Sequence, residues 1–304
     1  DGGLRVLDAF CASGVRALRY LREVPAVTWV SANDLAPAAA QLAGANARRN
    51  GVPPAAFEVT CGDAAEVMRA HARRGTLFDV VDLDPFGSAA PFVDAALGCL
   101  ADDGLLAVTC TDSMTFSHQR EVAFQKYGAA ALGKHGRGYV HEMALRMILH
   151  KLDTCAAARG RSITALLSLS LDHYFRVFVR VDRSARGALG ALGRSALVYQ
   201  AAGTPEFHLH PLGQPIGPEV ARALAAWGEE GRGCVVGGPI WRGPLHDPAF
   251  VARLRAAAAE EEARVSASSM GVADEEATRD HQGPERREEE IAGGGGAGNS
   301  GPVA

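Results

Sequence analysis

No run of eighteen or more uncharged apolar residues occurs in the chain, so nothing in it reads as a membrane-spanning helix. Cysteine is used six times but never as a C-x-x-C pair. Cys11, Cys61, Cys99, Cys110, Cys155 and Cys234 are scattered, most of them inside apolar stretches where a thiol serves as a small buried hydrophobe. That pattern argues against a disulfide scaffold or a structural zinc and for a reducing, intracellular compartment. Aromatic residues are only 6% of the chain while alanine abounds, a bias that says more about genome composition than about fold. No leader is read in these residues. The chain opens on Asp1-Gly2-Gly3 and reaches strand-like sequence within a few residues, with no initiator methionine, signal peptide or transit peptide. The expectation is a truncated chain that lacks an N-terminal piece.

What is present is enough for one sizeable core and a second, smaller unit, since 47% of the 304 residues are hydrophobic. The net charge of −4 is unevenly spread. Residues 1–114 hold nine Lys and Arg against fourteen Asp and Glu, residues 115–200 thirteen against five, and residues 201–304 nine against sixteen. A basic middle between acidic flanks is what a local phosphate-contacting surface requires, although ordinary solvated helix faces give the same average.

The first 112 residues alternate short apolar runs with helical periodicity. Arg5–Phe10, Val27–Asn33, Phe57–Thr60, Phe78–Leu83 and Leu105–Thr111 read as buried strands. Between them Val15–Glu23, Pro37–Asn50, Ala64–Arg74 and Ala89–Leu100 show three- and four-residue apolar spacing. Such repetition predicts parallel βαβ units with helices on both faces. A polar, basic stretch follows from Ser113 to Gly138, then an amphipathic helix over Tyr139–Arg159. Two apolar runs, Ile163–Leu171 and Tyr174–Val181, are separated only by Asp172-His173 and predict an antiparallel hairpin. Five parallel strands ending in such a hairpin form the Rossmann-like α/β architecture of the class I methyltransferases. Residues 185–265 read as a smaller C-terminal α/β domain after a first domain over 1–184. Residues 266–304, with acidic blocks and Gly293–Gly296, are expected to be disordered.

Four strand ends carry polar chemistry. In Asp8-Ala9-Phe10-Cys11-Ala12-Ser13-Gly14, small residues let the backbone approach a ligand and a helix N-terminus offers free amides. Asp8 there is placed to accept from an ammonium group such as that of a methionine moiety, though an ordinary tight βα turn has the same look. Asn33-Asp34 ends the second strand, where a carboxylate holds ribose hydroxyls or caps a helix. Asp63-Ala64 follows the third strand and faces the same pair of readings, with an adenine amino group as the ligand. Three acidic strand ends in successive units are harder to obtain by chance than any one alone. The sharpest motif is Asp84-Pro85-Phe86-Gly87, after the fourth strand. An amino group on an aromatic base is a poor nucleophile because its lone pair is delocalised into the ring. Acceptors for its two hydrogens localise that pair, and the Asp84 carboxylate with the Pro85 carbonyl supplies two on adjacent residues. Phe86 adds a face on which an extruded base stacks. The run matches the Asp/Asn-Pro-Pro-aromatic pattern of amino-group methyltransferases with one proline kept; a structural turn is the plain alternative.

With these residues in place, the sequence resembles the tRNA guanine-26 N2-dimethyltransferase family. The matching stretches are Val6–Arg19, Asn33-Asp34-Leu35, Phe78–Ser88, Gly104–Asp112, Lys126-Tyr127-Gly128, His141–Arg146, Asp172–Val181 and Gly238–Leu245, in family order. The resemblance implies a class I fold using S-adenosyl-L-methionine to methylate the amino group of a tRNA guanine. It implies that Arg16, Asp34, Asp63 and Ala64 bind the cofactor, that Asp84 is catalytic, and that Phe86 stacks on the base. It implies tRNA as the partner, with a C-terminal domain that helps to hold it, while the basic middle itself offers Lys126, Lys134 and Arg137 as phosphate contacts. No membrane or obligate protein partner is evident, and an intracellular site, nuclear or mitochondrial in a eukaryote, fits.

Three departures stand out. The family's N-terminal segment, with a further cofactor-contacting arginine, is absent from the sequence. Where many eukaryotic members have a C-x-x-C pair, this chain reads Ala201-Ala202-Gly203-Thr204, so no metal is expected. The loop after Thr111-Asp112 departs from the usual small-residue and cysteine pattern. The rival readings are a paralogue that methylates a neighbouring guanine or stops at one methyl, a tRNA-binding pseudoenzyme, and a DNA amino-methyltransferase.

Overall fold

The computed structural model of the protein describes residues 2–279, with the side chains of Arg137 and of 266–279 outside that description. Its first half is the expected alternation. In chain order it runs β1 (Leu4–Asp8), α1 (Val15–Glu23), β2 (Val27–Asp34), α2 (Pro37–Arg49), β3 (Phe57–Cys61), α3 (Ala64–Arg74), β4 (Phe78–Leu83), α4 (Val93–Cys99) and β5 (Leu100–Cys110). Two short helices follow, α5 (Ser113–Ser117) and α6 (Arg120–Tyr127), then the long α7 (Val140–Ala157). The chain continues through β6 (Arg161–Leu171), β7 (Tyr174–Arg183), α8 (Ala185–Leu189), β8 (Ser195–Ala201), β9 (Phe207–Pro211), α9 (Pro218–Glu229), β10 (Cys234–Trp241) and α10 (Pro248–Arg279).

The seven-stranded sheet has the order β3-β2-β1-β4-β5-β7-β6. Neighbours among β1 to β5 pair parallel, and β7 pairs antiparallel with both β5 and β6. This is the class I methyltransferase sheet, five parallel strands closed by an antiparallel hairpin. The winding reverses between β1 and β4, and a sheet of this kind opens a crevice beyond the carboxyl ends of the strands at that reversal. A second sheet, β10-β8-β9, is antiparallel throughout.

The described residues divide into two compact units, with the boundary between Val251 and Ala252. Within the first, α7 carries much of the core. Met143, Leu145, Met147, Ile148, Leu149 and Leu152 are buried at helical spacing, each contributing about 1.5–3 kcal/mol by leaving water. At the amino-terminal end of the sheet Arg161 is 6% exposed. Its Nη1 donates to the carbonyls of Leu97 (2.8 Å) and Leu100 (2.9 Å), and its Nη2 to those of Ala101 and Val181.

Three details differ from the sequence reading. Strand β5 starts at Leu100 rather than Leu105, because Asp102-Asp103-Gly104 sits inside it as an irregularity, with Phe78 opposite Leu100, Val80 opposite Leu105, and Asp103 at φ 59°. The helix expected over Ala89–Leu100 is a 3-10 turn, Ala90–Phe92, followed by α4. Helix α9 was not anticipated; Pro218 at its first turn and the buried Val220 and Trp227 account for it. Of the stretch 266–304, helical backbone reaches Arg279, and 280–304 lies outside the described residues.

Candidate active site

A cleft of about 860 Å³ lies at the carboxyl ends of the parallel strands. Its walls are laid out strand by strand. Phe10, Cys11, Ala12 and Arg16 follow β1, Asp34 and Leu35 end β2, and Asp84, Pro85 and Phe86 follow β4. Thr109 and Thr111 come from the end of β5, and His173, Tyr174 and Arg176 from the hairpin.

The β1–α1 turn is tight enough to need two left-handed residues, Ala12 (φ 48°) and Gly14 (φ 79°). A Cβ on Gly14 would come 2.9 Å from that of Ala43, so only glycine fits where α1 passes α2. The turn is held from β2: Asp34 Oδ2 accepts from the Ala12 amide at 2.9 Å, and Asp34 Oδ1 from the Ala36 amide at 2.9 Å.

Beneath the cleft is a charge network. Asp8 and Asp82, at the ends of adjacent strands, are both fully buried. Arg16 donates from Nη1 to Asp84 and from Nη2 to Asp8 Oδ1 (3.3 Å), and its Nε lies 3.5 Å from Asp82 Oδ2. Asp82 Oδ2 also accepts from the Tyr20 hydroxyl (2.5 Å) and from Arg176 Nη2 (2.8 Å). Burial pushes the Asp8 carboxyl up to about 6, against the pull of Arg16. For Arg16, burial acts to lower the pKa, yet Asp8, Asp82 and Asp84 together hold it above its ordinary value. Asp8 Oδ2 and Asp82 Oδ1 remain buried without a hydrogen-bond partner.

The Asp84-Pro85-Phe86-Gly87 loop is clamped to β5. The Gly87 amide donates to Thr111 Oγ1 and the Thr111 amide to the Gly87 carbonyl, both at 2.8 Å, with Gly87 at φ 83°. The next residue, Ser88, meets the Tyr127 hydroxyl at 2.7 Å, and that hydroxyl reaches Asp112 Oδ1 at 2.9 Å. Phe86 is left 105% exposed at the mouth, an apolar ring with no packing role.

The structure therefore brings Arg16, Asp34, Asp84, Pro85 and Phe86 to one cleft, with Asp8 under its floor. Asp63 and Ala64 stand apart from its walls. Asp63 caps α3 by accepting from the Glu66 amide at 3.0 Å, and Ala64 is buried. Among the residues read as phosphate contacts, Lys126 is engaged with Asp112 at 3.1 Å, Lys134 is exposed, and the side chain of Arg137 lies outside the described residues. Much of the basic middle is spent internally. Arg120 and Arg161 bind backbone carbonyls, while Arg146, Arg159, Arg176, Arg180 and Arg194 pair with carboxylates. The sequence reading passed over Arg176, Tyr174, His173, Thr109 and Tyr20. The alternation of β7, with Phe175 and Val177 buried and Tyr174 and Arg176 between them, was the available signal.

A family model described as N2,N2-dimethylguanosine tRNA methyltransferase matches residues 2–278. The chain belongs to that family. Its relatives include the tRNA (guanine(26)-N(2))-dimethyltransferase of Mus musculus, 41% identical over 265 residues that cover 84% of this chain and 39% of that protein. The Schizosaccharomyces pombe enzyme of the same name is 36% identical over 296 residues, covering 90% of this chain and 52% of the relative. The mitochondrial enzyme of Saccharomyces cerevisiae is 33% identical over 265 residues, covering 82% and 46%. Among solved structures, Trm1 from Pyrococcus horikoshii in complex with S-adenosyl-L-methionine superposes with a TM-score of 0.69 at 29% identity, covering 82% of this chain and 65% of that one. The chain spans about half the length of the curated family members it matches. No described helix is long and apolar enough to cross a membrane.

Proposed function

We propose that this family member transfers methyl groups from S-adenosyl-L-methionine to the exocyclic 2-amino group of a guanine in tRNA, at position 26 as the names of its relatives indicate. The observation that carries the reading is Asp84-Pro85-Phe86 clamped at the mouth of the cleft, one wall away from a turn built to receive a cofactor.

The residues of the first wall fit the cofactor. Asp34, beside the β1–α1 turn, is placed for ribose hydroxyls. Asp8 Oδ2, buried and unpartnered under the same turn, suits an ammonium group, and Arg16 a carboxylate. Asp63 and Ala64, at the start of α3 just beyond the strand next to β2, complete the set at the adenine end. When bound, the cofactor supplies an electrophilic methyl group. The chain's own part is to orient the acceptor: Asp84 and the Pro85 carbonyl take the two amino hydrogens, Phe86 stacks on the base, and Asp84 receives the displaced proton. Lys134, Arg137 and the smaller sheet are the tRNA-facing candidates, and an intracellular compartment, nuclear or mitochondrial, goes with this substrate. The test is methyl transfer from labelled cofactor to unmodified tRNA, with nucleoside mass spectrometry of the product. N2-methylated guanosine at position 26 is the expected result; its absence, or methylation of another base, sinks the reading.

A further inference from the structure

Strand β7 delivers two side chains to the cleft that the reaction as written does not use. Tyr174 and Arg176 share the face that lines it, while Phe175 and Val177 point into the core. Arg176 is held with unusual firmness for a residue on a ligand-facing wall. It stands opposite Thr109 in the β5–β7 ladder and donates from Nη1 to Thr109 Oγ1 and from Nη2 to Asp82 Oδ2 at 2.8 Å. The ring of Phe178 lies 5.0 Å from its Cζ. Asp82 is itself fixed, fully buried and bonded to the Tyr20 hydroxyl at 2.5 Å. The Arg176 side chain is 16% exposed. A guanidinium carries five N–H donors, and these two bonds commit two of them. A cation pinned from behind and open in front is preorganised to meet an acceptor.

The chemistry of the base says which acceptor. The edge of guanine presents, in order, the 2-amino group, N1–H and the 6-carbonyl oxygen. With the amino group at Asp84 and Pro85, the carbonyl at the far end of that edge calls for a donor. Arginine is a favoured partner of that oxygen, and adenine offers an amino group there instead. We infer that Arg176 is the specificity-determining residue for the target base, donating to O6 of the guanine whose 2-amino group faces Asp84. The inference rests on the guanine-methylating reading given above. Asp82, Tyr20 and Thr109 then act as positioning residues behind it.

The test compares single-turnover methyl transfer to tRNA carrying guanine or 6-thioguanine at the target position. The analogue keeps the amino group and N1–H but replaces the carbonyl oxygen by a weak acceptor. The parent is expected to prefer guanine by roughly 5- to 150-fold, the range for losing one good base contact. Arg176→Lys and Arg176→Met should reduce that preference to within about threefold, chiefly by slowing the guanine reaction. Arg176→Lys keeps a cation beside Asp82, and it decides the matter if Arg176→Met fails to fold. A residue that only supports the fold would slow both substrates together, so an unchanged preference in folded Arg176→Lys overturns the inference while leaving the reaction standing. A parent that methylates no guanine overturns the reaction itself, and this inference with it.

Discussion

Arg16 donates a hydrogen bond from its guanidinium to the carboxylate of Asp84, joining the first helix of the chain to the loop after the fourth strand. The contact means that Asp84, 32% exposed at its side chain, is aimed by a cation whose other arm rests on a buried Asp8.

Replacing the carboxylate by an amide keeps shape and swaps one acceptor oxygen for a donor. Asp84→Asn should slow single-turnover methyl transfer by roughly 30- to 1,000-fold, equivalent to about 2–4 kcal/mol of transition-state stabilisation. Cofactor and tRNA affinity should change far less. Asp82→Asn is no neutral control despite its place two residues earlier. It disturbs Tyr20, Arg16 and Arg176 at once, and it should lower both stability and turnover. A parental rate in Asp84→Asn rules out the amino-group mechanism.

Phe86 is wholly exposed, so Phe86→Ala should leave stability within about 0.5 kcal/mol of the parent. Loss of a stacking face worth about 1–3 kcal/mol should weaken the productive tRNA complex by roughly 5- to 150-fold, with cofactor affinity unchanged. Thermal melts, calorimetry and single-turnover rates separate the three effects.

Asp34→Ala should weaken cofactor binding by roughly 10- to 150-fold, the equivalent of about 1.5–3 kcal/mol for a hydrogen bond to a charged group. It also frees the amides of Ala12 and Ala36, so hydrogen exchange at those two positions should rise. Unchanged calorimetric affinity would remove Asp34 from the cofactor site.

Two buried groups bend the pH dependence of stability in opposite directions. Burial raises Asp8 from 3.8 to about 6, so the folded state binds the extra proton between these values. Its share of stability is fully present below about pH 4 and is lost as pH rises through about 6, on the order of 3 kcal/mol in total. His150, whose Nδ1 lies 3.1 Å from Ser195 Oγ, is pushed by burial from 6.5 down to about 4. Its share is present above pH 6.5 and lost as pH falls towards about 4. Relative to the parent, Asp8→Asn should therefore gain stability as pH rises from about 4 to 7, and His150→Gln should gain as pH falls over that window. Urea unfolding across the range checks both signs.

Lys134 is the exposed cation to test for phosphate contact. Lys134→Glu should weaken tRNA binding and flatten its salt dependence by about one unit of slope. Lys126→Glu, by contrast, sets two anions against each other at Asp112 and should act on loop stability. Equal salt slopes for parent and Lys134→Glu would make Lys134 an ordinary solvated residue.

The parallel sheet was legible because its strands are short apolar runs set between helical stretches, and Asp8, Asp34 and Asp84 mark strand ends that the fold gathers at or beneath one cleft. Asp63 marks a strand end too, but the structure shows it capping a helix, a role with the same residue preference. Arg176 was legible only as a polar position on the alternating β7, and Tyr20 not at all. A residue inside a strand or helix gives no hint of which cleft it faces until the sheet order brings β7 beside β5. The basic middle was legible only as a total for a related reason: composition counts charges without showing that Arg161 meets four carbonyls, or Arg194 a buried Asp153.

Arg161 gathers the end of α4, the irregular start of β5 and the end of strand β7 with one side chain. A lysine there would bring a single point charge and three donors in place of a planar fork, and could not span those elements. The sheet is thus tied together at the amino-terminal ends of its parallel strands. At the opposite edge two buried carboxylate oxygens, on Asp8 and Asp82, go unmatched. Those two oxygens lie at the strand ends below the cleft, so that rim keeps acceptors which the fold has not spent.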